Sequence, residues 1–437
     1  MTNFAELPVA VIGAGPVGLA AASHLVERGL TPLVFEAGPA VGHAVRDWGH
    51  VRLFSPWRFN VDGAARRLLA AAGWHAPDAD GVPTGRDVVE RYLAPLAALP
   101  GMAPHLRLGA RVVAVTRLGR DKARDDGRDA APFAVVWRDA AGIERRSLAR
   151  AVIDASGTWT RPNPMGVDGL AVPGEAAAAD RIAHGLPDVL GRDRDRHAGR
   201  HVLVVGGGHS AINVVLDLLR LREEVATTRV TWALRRPGIE RLLGGGLNDQ
   251  LPERGNLGTA ALRAIETGAV TLLAPFAAEA IARDGDGLTV EARQGETPIR
   301  LAVDRIVVAT GFRPDLSLAR ELRVALDPVV EAPPALAPLI DPNLHSCGTV
   351  PPHGARELAH PEAGFYVAGA KSYGRAPTFL MATGHEQVRS IVAEIAGDHA
   401  AASRVELVLP ETGVCNGGPA APVRDAPKAT SCCGTAA

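Results

Sequence analysis

Val9 to Glu36 reads VAVIGAGPVGLAAASHLVERGLTPLVFE, and its parts come in a fixed order. A short apolar strand runs into Gly13, Gly15 and Gly18, spaced G-x-G-x-x-G. The spacing predicts a helix from about Pro16 to Arg28, with proline at its start and Gly29 just past its end. A second strand, Pro32 to Phe35, ends at Glu36. Each glycine has a physical task. Gly13 permits the tight turn, Gly15 lets backbone approach a pyrophosphate, and Gly18 lets the helix pack close to the strand. The helix N-terminus offers free N–H groups and a positive dipole to the diphosphate. Glu36 stands where a carboxylate accepts hydrogen bonds from a ribose 2′-hydroxyl, with Ala37 beside it. The rival reading is a signal or membrane segment, since Val9 to Val26 carries no formal charge. Two glycine-rich turns, a proline and the absence of Lys or Arg before Arg28 oppose it.

The chain has 437 residues, enough for two or three domains. It is 47% hydrophobic and 22% charged, an ordinary soluble composition. A net charge of −1 provides no long-range field for nucleic acid, and no other run approaches membrane-spanning length. Four cysteines, three of them at 415, 432 and 433, do not make a secreted disulfide framework, so a cytoplasmic location is expected.

The loop 37–60, AGPAVGHAVRDWGHVRLFSPWRFN, has no helical or strand period. Trp48, Trp57 and Asn60 are candidates for the reactive end of a cofactor; the alternative is a packed surface loop. Helices are expected over 61–73 and 85–99, and strands over 106–118, 133–137 and 151–157. Residues 158–200, rich in Pro, Gly, Asp and Arg, read as a connection between domains. HVLVVGGGHSAINVVLDLLRLREE at 201–224 then repeats the fingerprint with Gly206, Gly208 and Ala211. The next strand ends in Arg235 and Arg236, where the first unit has an acid. A carboxylate would repel a 2′-phosphate; two guanidiniums clasp it, so the first loop reads as FAD or NAD and the second as NADP. The Gly-rich loop 244–258 lacks the lysine of a P-loop and is not an NTPase motif. Strands follow at 270–273, 288–293 and 299–303, then RIVVATGFRPD at 305–315, FYVAGA at 365–370 and a helix over 378–396. Past Pro410 the pattern is that of a flexible tail.

The two fingerprints, the acid, the arginine pair and the turns DASGTW and VATGFRPD together resemble the two-dinucleotide-binding-domain flavoproteins, the group holding disulfide reductases and flavin-containing monooxygenases. The resemblance runs from about residue 8 to 400. It implies an α/β fold of two Rossmann-like domains: an FAD domain from 1–165 and 305–400, an inserted NADPH domain at 166–304, and a cysteine-containing tail at 410–437. It further implies that Gly13, Gly15, Pro16, Gly18, Glu36 and Ala37 hold the FAD adenosine diphosphate and that the strand at Val112 meets the adenine. Gly157 and Gly311 would lie at the crossings between domains, and Ala155 and Thr310 would be further cofactor-binding residues. Gly206, Gly208, Ser210, Ala211, Arg235 and Arg236 would hold NADPH, and Gly369 and Ala370 would pass the ribityl chain.

Disulfide reductases of this group need a redox-active cysteine pair, and no C-x-x-C or C-x4-C occurs. Ala370 stands where most relatives carry an aspartate. His184–Gly185 resembles a monooxygenase feature, although Ala178 and Asp188 replace its usual aromatic flanks. WGHVRLFSPW, KSYGRAPTFLMATG and the Cys-ending tail also resemble a bacterial subgroup of flavoprotein monooxygenases encoded beside arsenic-resistance genes. The expected activity is thus NADPH-dependent FAD oxygenation of a soft sulfur, nitrogen or metalloid centre, or of a carbonyl, with Asn60 as a hydrogen-bond donor at the flavin. The alternatives are a reductase feeding a quinone, metal ion or protein, and a cofactor-binding sensor. Cys415, Cys432 and Cys433 are candidate ligands for a soft metal or metalloid. The expected partners are a small-molecule substrate and O2, with neither nucleic acid nor membrane; a homodimer is left open.

Overall fold

The computed structural model describes residues 4–238, 251–344, 350–376 and 379–407. Two sheets of five parallel strands organise it. The first runs in the order Phe365–Val367, Ala151–Asp154, Val9–Ile12, Pro32–Phe35 and Leu106–Arg107. Its strands are apolar without alternation because both faces are covered. Val9, Val11 and Ile153 face helices Pro16–Glu27, Gly63–Ala71 and Met381–Ile395 through Leu19, Leu69 and Val388. Ala10, Ile12 and Val152 face an antiparallel sheet, Arg111–Arg117, Phe133–Arg138 and Glu144–Ala149, through Val115, Phe133 and Val135. Each such Val, Leu, Ile or Phe side chain contributes about 1.5–3 kcal/mol on full burial, so the period-two split of one strand between two cores pins its register.

The second sheet repeats the plan in the order Thr271–Leu273, Arg229–Ala233, His201–Val205, Arg305–Val308 and Ile182–His184. Val202 and Val204 face helices His209–Glu224 and Pro252–Glu266; Leu203 and Val205 face the antiparallel strands Phe276–Asp284, Gly287–Gln294 and Thr297–Val303.

Three expectations change. The single strand expected over 106–118 is two strands in different sheets, because the chain turns at Leu108–Ala110. The connection expected over 158–200 contains Ile182–His184, the edge strand of the second sheet. The boundary expected at 305 moves: Arg305–Val308 pairs with His201–Val205 and Ile182–His184, so the chain leaves the second body after Val308.

Two buried polar clusters brace the first body. Glu362 accepts from Arg117 Nε at 2.8 Å and Arg128 Nη2 at 2.6 Å, all three side chains being buried. His24 Nε2 lies 3.1 Å from Asp62 Oδ2 while Asp62 Oδ1 caps helix Gly63–Ala71 through Ala65 N. Burial alone raises the Asp62 pKa, but the hydrogen bond and charge of His24 outweigh it and bring the carboxyl down to about 2. Among the described residues no helix is long and apolar enough to cross a membrane.

Candidate functional site: two dinucleotide loops

At the first loop, Gly13 has φ 100°, and a Cβ there would stand 2.7 Å from the Ala155 carbonyl oxygen. Only glycine lets this turn lie against the loop after Ala151–Asp154. A Cβ on Gly18 would overlap the Gly13 carbonyl oxygen. Gly15 differs: its backbone is extended at φ −81°, and no protein atom lies within 4 Å of the place its Cβ would occupy. The protein's own packing does not ask for glycine there. Pro16 opens the helix, and no side chain caps it, so its first N–H groups remain for an anion. Glu36 is fixed: Oε2 accepts from Ala14 N at 2.9 Å and Oε1 from Gly38 N at 2.8 Å. Each oxygen keeps a lone pair for a hydroxyl. Ala37 beside it is exposed. At Val112 the antiparallel ladder slips, pairing Val112 with Trp137 and then Ala114 with Val136. Val113 is left outside the ladder, which frees backbone at the strand expected to meet an adenine.

The second loop has the same construction. Gly206 has φ 145°, and a Cβ on it would overlap the Ala309 carbonyl oxygen; Gly208 has no protein atom within 4 Å of its Cβ position. Trp232 Nε1 donates to the Gly206 carbonyl at 2.8 Å and holds the turn. Ser210 and the buried Ala211 lie in the first turn of His209–Glu224. Arg235 and Arg236 follow strand Arg229–Ala233 and are exposed. A cradle that a Cβ would fill thus stands before an uncapped helix at both loops, and both fit a dinucleotide diphosphate.

The crossings between the bodies are paired. Pro162 bridges Phe312, Asn163 N donates to the Gly311 carbonyl at 2.9 Å, and Thr310 Oγ1 donates to the Asn163 carbonyl at 3.1 Å. Beside them Trp159 and Phe312 stack with centroids 4.7 Å apart. Trp159 Nε1 donates to Asp47 Oδ2 of the first body at 2.9 Å. A cavity of about 250 Å³ adjoins this stack, lined by Asp47, Trp159, His184, Arg192, Arg196 and His197 among others. Neither ring is among the residues expected from sequence, although the turns DASGTW and VATGFRPD carry both. An aromatic one or two residues past the glycine of each turn was the available signal.

Three expected residues are engaged by the protein's own structure. Asn60 is fully buried, and its Nδ2 donates to the Ser55 carbonyl at 2.7 Å and the Pro56 carbonyl at 3.1 Å. Both amide protons bind its own loop, which leaves none for a flavin. Trp57 is a core residue of the first body, under the Arg91 guanidinium. Trp48 packs on Gly85, where a Cβ would meet its ring at 2.7 Å. Gly369 opens the turn Gly369–Tyr373 with Ala370 half-buried beside it, and Gly369 N donates to Gln387 Oε1 at 2.8 Å. Cys415, Cys432 and Cys433 lie outside the described residues; among the described residues no group of three His, Cys, Asp or Glu is placed to hold a metal.

Comparison with known proteins agrees with this architecture. The family model for a pyridine nucleotide-disulphide oxidoreductase matches residues 105–331, and that for an NAD(P)-binding Rossmann-like domain matches 11–74. The chain belongs to the pyridine nucleotide-disulphide oxidoreductase family and is an FAD- and NADPH-dependent oxidoreductase. It is 26% identical over 315 residues to a ferredoxin–NADP reductase of Paraburkholderia phymatum, covering 71% of each chain. It is 30% identical over 285 residues to an indole-3-pyruvate monooxygenase of rice, covering 60% of this chain and 62% of the relative. Among solved structures, a bacillithiol disulfide reductase from Bacillus cereus shares the fold at a TM-score of 0.67 and 19% identity, over 90% of this chain and 99% of that one. A cadaverine monooxygenase from Erwinia amylovora does so at 0.62 and 15%, over 95% and 99%.

Proposed function

We propose that this oxidoreductase is a monooxygenase, with FAD at the Gly13–Gly18 loop and NADPH at the Gly206–Ala211 loop, and that it oxygenates a small soft nucleophile or a carbonyl compound. When bound, the two cofactors supply hydride transfer from nicotinamide to flavin and activation of O2 by the reduced flavin. The chain's own residues do the rest. The two helix N-termini receive the diphosphates, Glu36 orients a ribose, and Arg235 with Arg236 favours a 2′-phosphate. Trp159, Phe312 and Asp47 tie the two bodies together beside the cavity.

The observation that carries this reading is that the sequence lacks the spaced cysteine pair of the disulfide reductases in this group. The four cysteines, at positions 347, 415, 432 and 433, form no C-x-x-C or C-x4-C pair. In this reading electrons entering from NADPH leave to an external acceptor. The rice monooxygenase supports O2 in that role, and the ferredoxin–NADP reductases support a second reading, transfer to a separate carrier. A metalloid substrate belongs to the proposal through Cys415, Cys432 and Cys433, as do the discontinuous FAD body and the inserted NADPH body. Anaerobic NADPH followed by air tests the reading. Oxygen uptake that matches NADPH consumption and oxygen incorporation into an added thioether, amine or arsenite supports it. Sustained turnover with a quinone or ferredoxin in the absence of O2, and no oxygenated product in air, replaces it with the reductase.

A further inference from the structure

Asp154 ends the strand next to the central one of the first sheet, in register with Ile12 of that central strand on one side and with Val367 of the edge strand on the other. Those neighbours lead into the two segments that bound the first dinucleotide loop: Gly13 follows Ile12, and Gly369 follows shortly after Val367. Lys371, on the Gly369–Tyr373 turn, reaches back to this point. Its Nζ donates to Asp154 Oδ2 at 2.6 Å and to Ser156 Oγ at 3.0 Å. Ser156 in turn donates from Oγ to Asp154 Oδ1 at 2.6 Å and from its backbone N at 3.1 Å. Asp154 is fully buried and Lys371 is 3% exposed, yet Ser156 is exposed.

A buried ion pair is a poor device for stability, because desolvation offsets most of its attraction and an apolar pair of similar volume serves folding as well. Here it stands at the carboxyl edge of a parallel sheet, where ligands of such folds bind, and it fixes one exposed hydroxyl. Two of the three ammonium protons are engaged by Asp154 and Ser156. Strand order gives the direction. Glu36 lies on the Pro32–Phe35 side of the fingerprint loop, and Asp154 lies on the opposite side.

We propose that Lys371, Asp154 and Ser156 form a recognition triad for the polyhydroxylated segment of the dinucleotide, away from its adenosine end. Ser156 Oγ accepts from a ligand hydroxyl, and the third Lys371 proton donates to a ligand oxygen. Lys371 and Asp154 are positioning residues for Ser156 as well as local charges. This rests on the assignment of FAD to the first loop.

The test uses flavin-stripped full-length protein titrated with FAD and, separately, with ADP, which carries only the adenosine diphosphate. In Lys371→Met/Asp154→Leu, which removes both charges together, FAD affinity is expected to fall about tenfold, the scale of one charge-assisted hydrogen bond. ADP affinity, NADPH affinity and the apoprotein melting temperature are expected to hold. Ser156→Ala leaves the buried pair intact and is expected to weaken FAD about threefold, a fraction of one neutral hydrogen bond, again without change for ADP. Unchanged FAD affinity in Ser156→Ala, or equal losses of FAD and ADP in the double variant, would overturn the proposal. Wild-type apoprotein that does not take up FAD at all would instead refute the assignment on which it rests.

Discussion

Replacing Gly15 is expected to empty the flavin site of a protein that remains folded, whereas the same change at Gly18 is expected to damage the fold. Gly15 has an ordinary extended backbone, and its Cβ position has no protein atom within 4 Å. Gly15→Ala should therefore change the stability of the apoprotein by less than about 1 kcal/mol. Gly18→Ala drives a methyl into the Gly13 carbonyl and should cost about 1–3 kcal/mol, the usual range for overpacking. For the ligand the order reverses. A side chain at Gly15 holds the diphosphate off the helix N-terminus and weakens at least one charge-assisted hydrogen bond of about 1.5–3 kcal/mol. At about 1.4 kcal/mol per factor of ten, FAD should bind roughly 10- to 150-fold more weakly; the larger Gly15→Val should purify colourless. Urea denaturation of the stripped proteins gives the first comparison, and quenching of flavin fluorescence on titration gives the second. Full flavin occupancy in Gly15→Val would show that no diphosphate lies there. Unfolding of Gly15→Ala would show that the glycine serves the protein's own packing.

Arg235→Ala/Arg236→Ala should lower the preference for NADPH over NADH by about 10- to 100-fold, since charge-assisted contacts at an exposed site are being lost; steady-state rates with both nucleotides check this, and an unchanged ratio makes the pair a solvated strand end. Asp62 carries a pH signature: its pKa is about 2 in the fold against 3.8 ordinarily, so its stabilisation is complete above pH 4 and disappears as pH falls towards 2. That difference is worth about 2 kcal/mol, and urea midpoints of wild type and Asp62→Asn at pH 6 and pH 3 should converge as the pH falls; parallel curves would refute the assignment. Glu362→Gln leaves Arg117 and Arg128 buried without their shared carboxylate and should cost about 3–5 kcal/mol, read as a lower thermal midpoint. Ending the chain at Glu411 should weaken trivalent arsenic or mercury binding and lower NADPH turnover with those ions; equal values would leave the three tail thiols without that role.

Local signals carried the parts of this molecule that depend on local geometry. The two glycine loops, Glu36 and the strand pairs around them follow from spacing, because turn, cap and strand are set within about 30 residues. What escaped depends on distant partners. Ile182–His184 is a strand only because Arg305–Val308 completes a ladder beside it; alone, three residues among Pro, Gly and Asp carry no period. Phe276–Asp284, FAAEAIARD, has few β-branched residues, and Gly287–Gln294 supplies its strand character. Asn60 has the chemistry of an active-site donor, but its neighbours Ser55 and Pro56 engage it, and composition does not show that. Lys371 and Asp154 are 217 positions apart. Neither residue type at either place announces a partner, and only the adjacency of strands Ala151–Asp154 and Phe365–Val367 brings them together.

The order in which the chain leaves the ribosome meets the discontinuous first sheet in a particular way. Its strand Ala151–Asp154, next to the central Val9–Ile12, is flanked on its other side by Phe365–Val367, synthesised much later, and helix Met381–Ile395 then covers the fingerprint helix. Every strand of the second sheet falls between Ile182 and Val308, so that body can assemble while the first still lacks its last strand and its covering helix. A nascent chain at that stage presents the edge of Ala151–Asp154 and the apolar side of Pro16–Glu27 to the solvent. Such an open parallel edge is a site for mispairing, and chaperone demand is expected to peak during synthesis of residues 160–365. Pulse proteolysis of stalled chains should find the second body protected first, and should find the first protected only after residue 395 has emerged.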